Sequence, residues 1–178
     1  MNQLVIVDIQ PAFPMSEYLV PSVLEYSKKF DDIVFIYDCH HQEGCGAPFD
    51  PYVLDMYEDM AFNQEFRDKT ECIGKEFGFL RGWMDTGVDN DDIISIVKYM
   101  IEQNIGDSRD IAEGVFDVAD EKRNCDSIGA GPHTELDRYI SQSVTLVGGG
   151  QYECLAEIDL LLQAMGRQTE INYSYVYG

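Results

Sequence analysis

Apolar positions in this chain fall into short unbroken runs separated by longer amphipathic stretches. Residues 3 to 8 (Gln-Leu-Val-Ile-Val-Asp) form such a run and end in a carboxylate, the pattern of a strand buried on both faces of a parallel sheet. Ile33-Val34-Phe35-Ile36-Tyr37-Asp38 repeats it after a helical stretch from about Glu17 to Phe30, which makes a first βαβ unit. A third run, Val144-Thr145-Leu146-Val147, passes through Gly148-Gly149-Gly150 into a helical stripe of Leu155, Ile158, Leu161, Leu162 and Met165 that Gly166 closes. The tail from Glu170 to Tyr177 alternates and predicts a last strand. Residues 77 to 111 read mainly as helix, with Ile93, Ile94, Val97, Met100 and Ile101 on one face after the cap candidates Asn90 and Asp91. Residues 115 to 119 predict a strand, and Thr134 to Ile140 a short helix feeding the strand at 144.

These elements predict one α/β domain over residues 1–178, with no internal repeat, low-complexity tract or linker. The expected architecture is a three-layer αβα, Rossmann-like arrangement. Its mostly parallel sheet has about five or six strands with helices on both faces, and a helical insertion falls at about 75–111. A length of 178 residues with 45% hydrophobic content is enough to bury a core without disulfide or metal staples.

Charge changes the list of partners. Lys and Arg number 12 against 33 Asp and Glu, a formal net charge of −21, which repels phosphate backbones and anionic lipid surfaces. Nucleic acid and membrane are therefore not expected as partners, and no apolar run reaches the roughly 18 residues that span a bilayer. The five cysteines are irregularly spaced and follow no signal-peptide pattern, so free thiols in a reducing cytoplasm are expected.

The chemistry concentrates around Val147-Gly148-Gly149-Gly150-Gln151-Tyr152-Glu153-Cys154-Leu155, where a thiol sits at the first turn of a helix directly after a buried strand. Unpaired N–H groups and the positive end of the helix dipole lower a cysteine pKa there and can hold a developing oxyanion. A small buried cysteine on an ordinary helix is the plainer alternative. Three consecutive glycines argue for the site, because they remove side chains where backbone must approach closely or take a costly conformation. Asp8, at the end of the first strand, is either an acid–base group or a carboxylate capping the next helix.

The stretch Leu4-Val5-Ile6-Val7-Asp8-Ile9-Gln10-Pro11-Ala12-Phe13 resembles the opening strand of the isochorismatase-like cysteine hydrolases, and Cys154 sits where that family has its nucleophile, with Gly148 six residues before it and an apolar helix after it. The resemblance covers roughly residues 3 to 41 and 118 to 177. The family includes nicotinamidases, N-carbamoylsarcosine amidohydrolases and isochorismatases, so it implies hydrolysis of a small compound, most often at an amide C–N bond. It also implies a catalytic lysine. Lys122, in Lys122-Arg123-Asn124-Cys125-Asp126, is favoured by its distance from the cysteine; Lys75, in Ile73-Gly74-Lys75-Glu76-Phe77, follows a candidate strand and is the rival. By the same analogy Asp8 accepts the thiol proton, Lys122 holds Asp8 ionised, and Cys154 attacks the substrate carbonyl to form a thioester that water hydrolyses. The N–H groups of Gly150 and Cys154 would form the oxyanion hole, the Gly149–Gly150 peptide would be cis, and Phe13, Gly149 and Tyr152 would line the substrate pocket.

Asp38-Cys39-His40-His41 partly resembles the Asp-x-His metal motif of the nicotinamidase branch, with Asp38 and His40 as ligands and His133 the remaining histidine. A zinc site from Cys39, His40, His41 and Cys45 matches no familiar spacing. No cofactor is required by this reading, and a divalent metal such as zinc is the one candidate. The expected partner is a small-molecule substrate, a neutral amide unless Arg81, Arg123 or a lysine lines the entrance, and the chain is expected to form a homo-oligomer as family members do. Two other readings stay open: a catalytically silent member serving as an interaction or assembly module, and hydrolysis of a vinyl ether, which needs no nucleophilic cysteine.

Overall fold

The computed structural model describes residues 2–38, 56–75, 77–78, 80–103 and 134–178. In chain order these form β1 (Gln3–Val7), a 3-10 turn (Pro14–Leu19), α1 (Val20–Ser27), β2 (Asp32–Asp38), α2 (Glu58–Ala61), α3 (Gln64–Asp68), β3 (Thr70–Lys75), α4 (Arg81–Asp85) and α5 (Asn90–Glu102). A 3-10 turn (Thr134–Arg138), β4 (Ser143–Gly148), α6 (Cys154–Ala164), β5 (Gln168–Ile171) and a last 3-10 turn (Tyr173–Tyr175) complete the described chain. The expected strand at 115–119 lies outside the described residues.

The five strands make one parallel sheet in the order β3-β2-β1-β4-β5. Successive residues of a strand point to opposite faces, and the core divides accordingly. Leu4 and Ile6 of β1 join Ile33 and Phe35 of β2 and Val20 and Val23 of α1 in one apolar cluster. Val5 and Val7 join Val34 and Ile36, Ile93, Ile96, Val97 and Met100 of α5, and Leu155, Ile158 and Leu161 of α6 in the other. The fold is thus a Rossmann-like parallel α/β arrangement, which explains why β1 and β2 are apolar at nearly every position. No helix among the described residues is long and apolar enough to cross a membrane.

Some boundaries differ from the sequence expectation for local reasons. The helix expected from Glu17 begins as a 3-10 turn, and α1 proper starts at Val20 with Pro21 in its first turn, where a missing N–H costs nothing. Residues 75–111, read as a helical insertion, begin with the last residue of β3 and contain α4 and α5, whose apolar face belongs to the core and packs against α6. The Asp89 side chain caps α5 by accepting from Asp91 N at 2.9 Å. β3 carries polar residues (Thr-Glu-Cys-Ile-Gly-Lys) and is an edge strand among the described residues. The tail strand stops at Ile171, after which Asn172 accepts from Ser174 N and turns the chain; Tyr177 then returns beside Gly150.

Candidate functional site

The strand order reverses between β1 and β4, so the crevice beyond their C-terminal ends is the switch point where parallel α/β sheets bind ligands. Val7, the last residue of β1, is in register with Gly148 of β4 and Ile36 of β2, and Asp38 pairs with Lys75 across β2 and β3. Asp8 therefore leaves β1 beside the loop that carries Cys154, with Asp38 and Lys75 at the ends of the next two strands.

Backbone geometry at this edge is unusual. Asp8 has φ 50°, the single non-glycine in the left-handed region among the described residues, a conformation costing about 1–2 kcal/mol. Gly148 and Gly149 follow with φ 79° and 59°. A Cβ at Gly148 would lie 2.3 Å from the Val7 carbonyl oxygen, and one at Gly149 2.8 Å from Leu155 Cβ. These glycines let β4 turn against β1, with Gly149 N donating to Val7 O at 2.6 Å. The described residues contain no cis peptide, so Gly149–Gly150 is trans and the expected cis bond is corrected. The sharp turn is made instead by two left-handed glycines. Gly150 O accepts from Glu153 N and Leu155 N, while among the described residues no backbone carbonyl claims the N–H of Gly150 or of Cys154.

Asp8 is fully buried, and neither carboxylate oxygen has an aligned hydrogen-bond donor among the described residues. The neighbouring Asp38 N–H is committed to Gln10 Oε1 at 3.0 Å, and Gln10 Nε2 donates to Asp38 O, so the Asp-x-Gln motif ties the ends of β1 and β2 together. Burial raises Asp8 to about 8, offset in part by the nearby Cys154 thiol, the Asp38 backbone and the Lys75 ammonium, and reinforced by the charge of Asp38. Burial also pushes the Cys154 thiol up, as do the charges of Asp8, Glu157 and Asp38. The expected ionised carboxylate and depressed thiol are thus corrected for the resting site, because desolvation outweighs the helix N-terminus and the lysine. Tyr177, whose hydroxyl donates to Asp8 O at 3.1 Å, is raised by burial as well.

The lysine that the structure brings to this edge is Lys75; Lys122 lies outside the described residues. Lys75 is buried, with its ammonium 2.9 Å from Glu157 Oε1 and over the Phe77 ring at 5.1 Å. Glu157, one turn after Cys154, also accepts through Oε2 from Gly78 N at 2.9 Å and Leu80 N at 3.4 Å. The sequence signal for Glu157 is a carboxylate one turn before Leu161 and one turn after Cys154, on the helix's apolar stripe. Tyr177, also missed, has no comparable signal. Arg81 at the start of α4 pairs with Glu153, the residue before Cys154, at 2.5 Å.

Phe13 is half-buried against the cluster that contains Ile9 and Met56. Tyr152 is 76% exposed and lines a cleft of about 320 Å³ with Met84, Asp85, Val88, Asp159 and Leu160, on the side of α6 opposite Cys154. Of the metal candidates Asp38 is described and buried, whereas Cys39, His40, His41, Cys45 and His133 lie outside the described residues. Among the described residues no three His, Cys, Asp or Glu side chains assemble a metal site. Comparison of the chain with protein-family models, with curated proteins and with solved structures found no match.

Proposed function

We propose that this chain is a cysteine hydrolase that cleaves a small amide-type substrate at its C–N bond through a thioester, with Cys154 as nucleophile, Asp8 as general base and Lys75 as the supporting cation. The observation that carries the reading is Asp8. A strained, fully buried carboxyl without an aligned donor, set beside a thiol at a helix N-terminus, destabilises the fold and has no packing rationale. Its raised pKa is that of a base poised near working pH.

In the forward reaction ionised Asp8 takes the thiol proton as sulfur bonds to the substrate carbonyl carbon. The carbonyl electrons move to oxygen, where the N–H groups of Gly150 and Cys154 receive the charge. Collapse breaks the C–N bond, and the leaving amine takes the proton from Asp8. Water, deprotonated by Asp8, then attacks the thioester and releases the carboxylic acid with the thiol restored. Lys75 limits the build-up of negative charge around Asp8, Asp38 and Cys154.

The raised thiol and the pairing of Lys75 with Glu157 favour a second reading, a silent member of the same fold acting as an assembly module. A panel of small neutral amides, nicotinamide first, separates the two. Turnover by the parent that is lost in Cys154→Ala, with the fold intact, supports the hydrolase. No turnover across the panel favours the module, and full turnover by Cys154→Ala points to chemistry without a thioester, as for a vinyl ether.

A further inference from the structure

α6 carries more of the site than its nucleophile. Cys154 and Glu157 lie one turn apart on the same flank, and Glu157 reaches back to the end of β3 with both oxygens: Oε1 to the Lys75 ammonium, Oε2 to the N–H groups of Gly78 and Leu80. Both side chains of the pair are almost completely buried, at 1% and 2% exposure. A buried ion pair is a weak source of stability compared with apolar packing of equal volume, so its presence beside a nucleophile calls for another reason. We propose that Glu157 is a positioning residue for Cys154 and Asp8: it anchors Lys75 and the Gly78–Leu80 backbone to the nucleophile helix and sets how much of the lysine's charge reaches the Asp8–Cys154 pair. The catalytic roles of Asp8 and Cys154 rest on the hydrolase reading, but the electrostatic claim concerns the resting protein and stands apart from turnover.

The groups facing the pair among the described residues are Asp38 from β2, Lys75 from β3, Arg81 from α4, Glu157 from α6, Glu153 just before it, and Tyr177 from the C-terminal segment. Lys75 is the buried cation of this set and Glu157 is an anion in direct contact with it, whereas Arg81 is part-exposed and paired with Glu153 and Asp85. Neutralising Glu157 leaves the ammonium to act on Asp8 and Cys154, so the pair sheds its first proton at lower pH. Removing the ammonium acts in the opposite sense. Removing both charges returns the local balance to that of the parent.

The test is the rate at which iodoacetamide alkylates Cys154 at pH 7, read by peptide mass spectrometry, with buried Cys72 as an internal reporter of general opening. Glu157→Gln is expected to react about threefold faster. An opposite charge is worth about one pKa unit, tenfold in thiolate, and roughly half of that logarithm is lost to weaker nucleophilicity. Lys75→Met is expected to react slower by a similar factor, and Lys75→Met/Glu157→Gln to return close to the parent rate. A purely structural role loosens the site in both single variants and speeds both, so two shifts of the same sign, or none, overturn the proposal. If Glu157→Gln alone opens the fold and exposes Cys72, comparing Lys75→Met with the double variant decides: slowing that the second substitution reverses supports the proposal, and slowing that persists overturns it. Failure of the amide panel with this pattern intact removes the hydrolase reading alone; turnover without the pattern removes only the role of Glu157.

Discussion

Replacing Asp8 by Asn is expected to stabilise this protein increasingly as pH rises. In the unfolded chain Asp8 loses its proton near 3.8, whereas in the folded chain burial holds it to about 8. Between these values the folded state binds the extra proton, so stability falls as pH rises; the contribution is fully present below about pH 4 and gone above about pH 8. Within that window the slope approaches 1.36 kcal/mol per pH unit, which from pH 5 to pH 8 amounts to about 4 kcal/mol. Asn has nearly the shape of the neutral carboxyl but does not titrate. Other carboxylates in this acidic chain also respond to pH, but they are common to both proteins and cancel in the difference. Denaturant unfolding followed by the fluorescence of Trp83, the chain's one tryptophan and a core residue, gives the free energies at pH 5, 6, 7 and 8. A gap between variant and parent that stays constant over this range refutes the assignment of Asp8 as a neutral buried carboxyl, and with it the reason for regarding this site as functional.

Three further outcomes follow from the same geometry. Turnover of any substrate found in the amide panel should rise about tenfold per pH unit up to a midpoint near 8, where Asp8 ionises; a profile flat from pH 6 to 9 contradicts Asp8 as the base. Gly148→Ala should destabilise by at least about 3 kcal/mol, because its Cβ meets the Val7 carbonyl, whereas Gly166→Ala, at nearly the same φ (78°) with open space around it, should lose only about 1–2 kcal/mol; equal losses show that φ alone matters. Lys75→Met should destabilise by about 3–5 kcal/mol by stranding the Glu157 charge. Adding Glu157→Leu should recover part of that, the remainder reflecting Gly78 and Leu80 N–H groups left without an acceptor, and a double variant no better than the single argues against a buried pair.

Strands β1, β2 and β4 and helix α6 were legible in the linear pattern because a parallel strand covered on both faces must be apolar at every position, and a core-facing helix must repeat its apolar residues along one stripe. Asp8 and Cys154 were legible by position: Asp8 directly follows β1, and Cys154 opens the helix after β4, across a turn that three glycines mark. β3 was blurred because Thr70, Glu71 and Lys75 interrupt its apolar run, and Lys75 was set behind Lys122 because it lies farther from Cys154 along the chain. The meeting of Lys75 with Glu157, 82 residues apart, and of Tyr177 with Asp8, 169 apart, has no periodic trace. Ionisation went the same way. Local sequence carries the helix N-terminus that lowers a thiol pKa, but the tertiary packing around Asp8 and Cys154 removes water from both, and desolvation is the larger effect. Hydrophobic period and turn residues are local properties and can be read along the chain; charge balance and burial depend on which distant segments pack together, and that was decided by the fold.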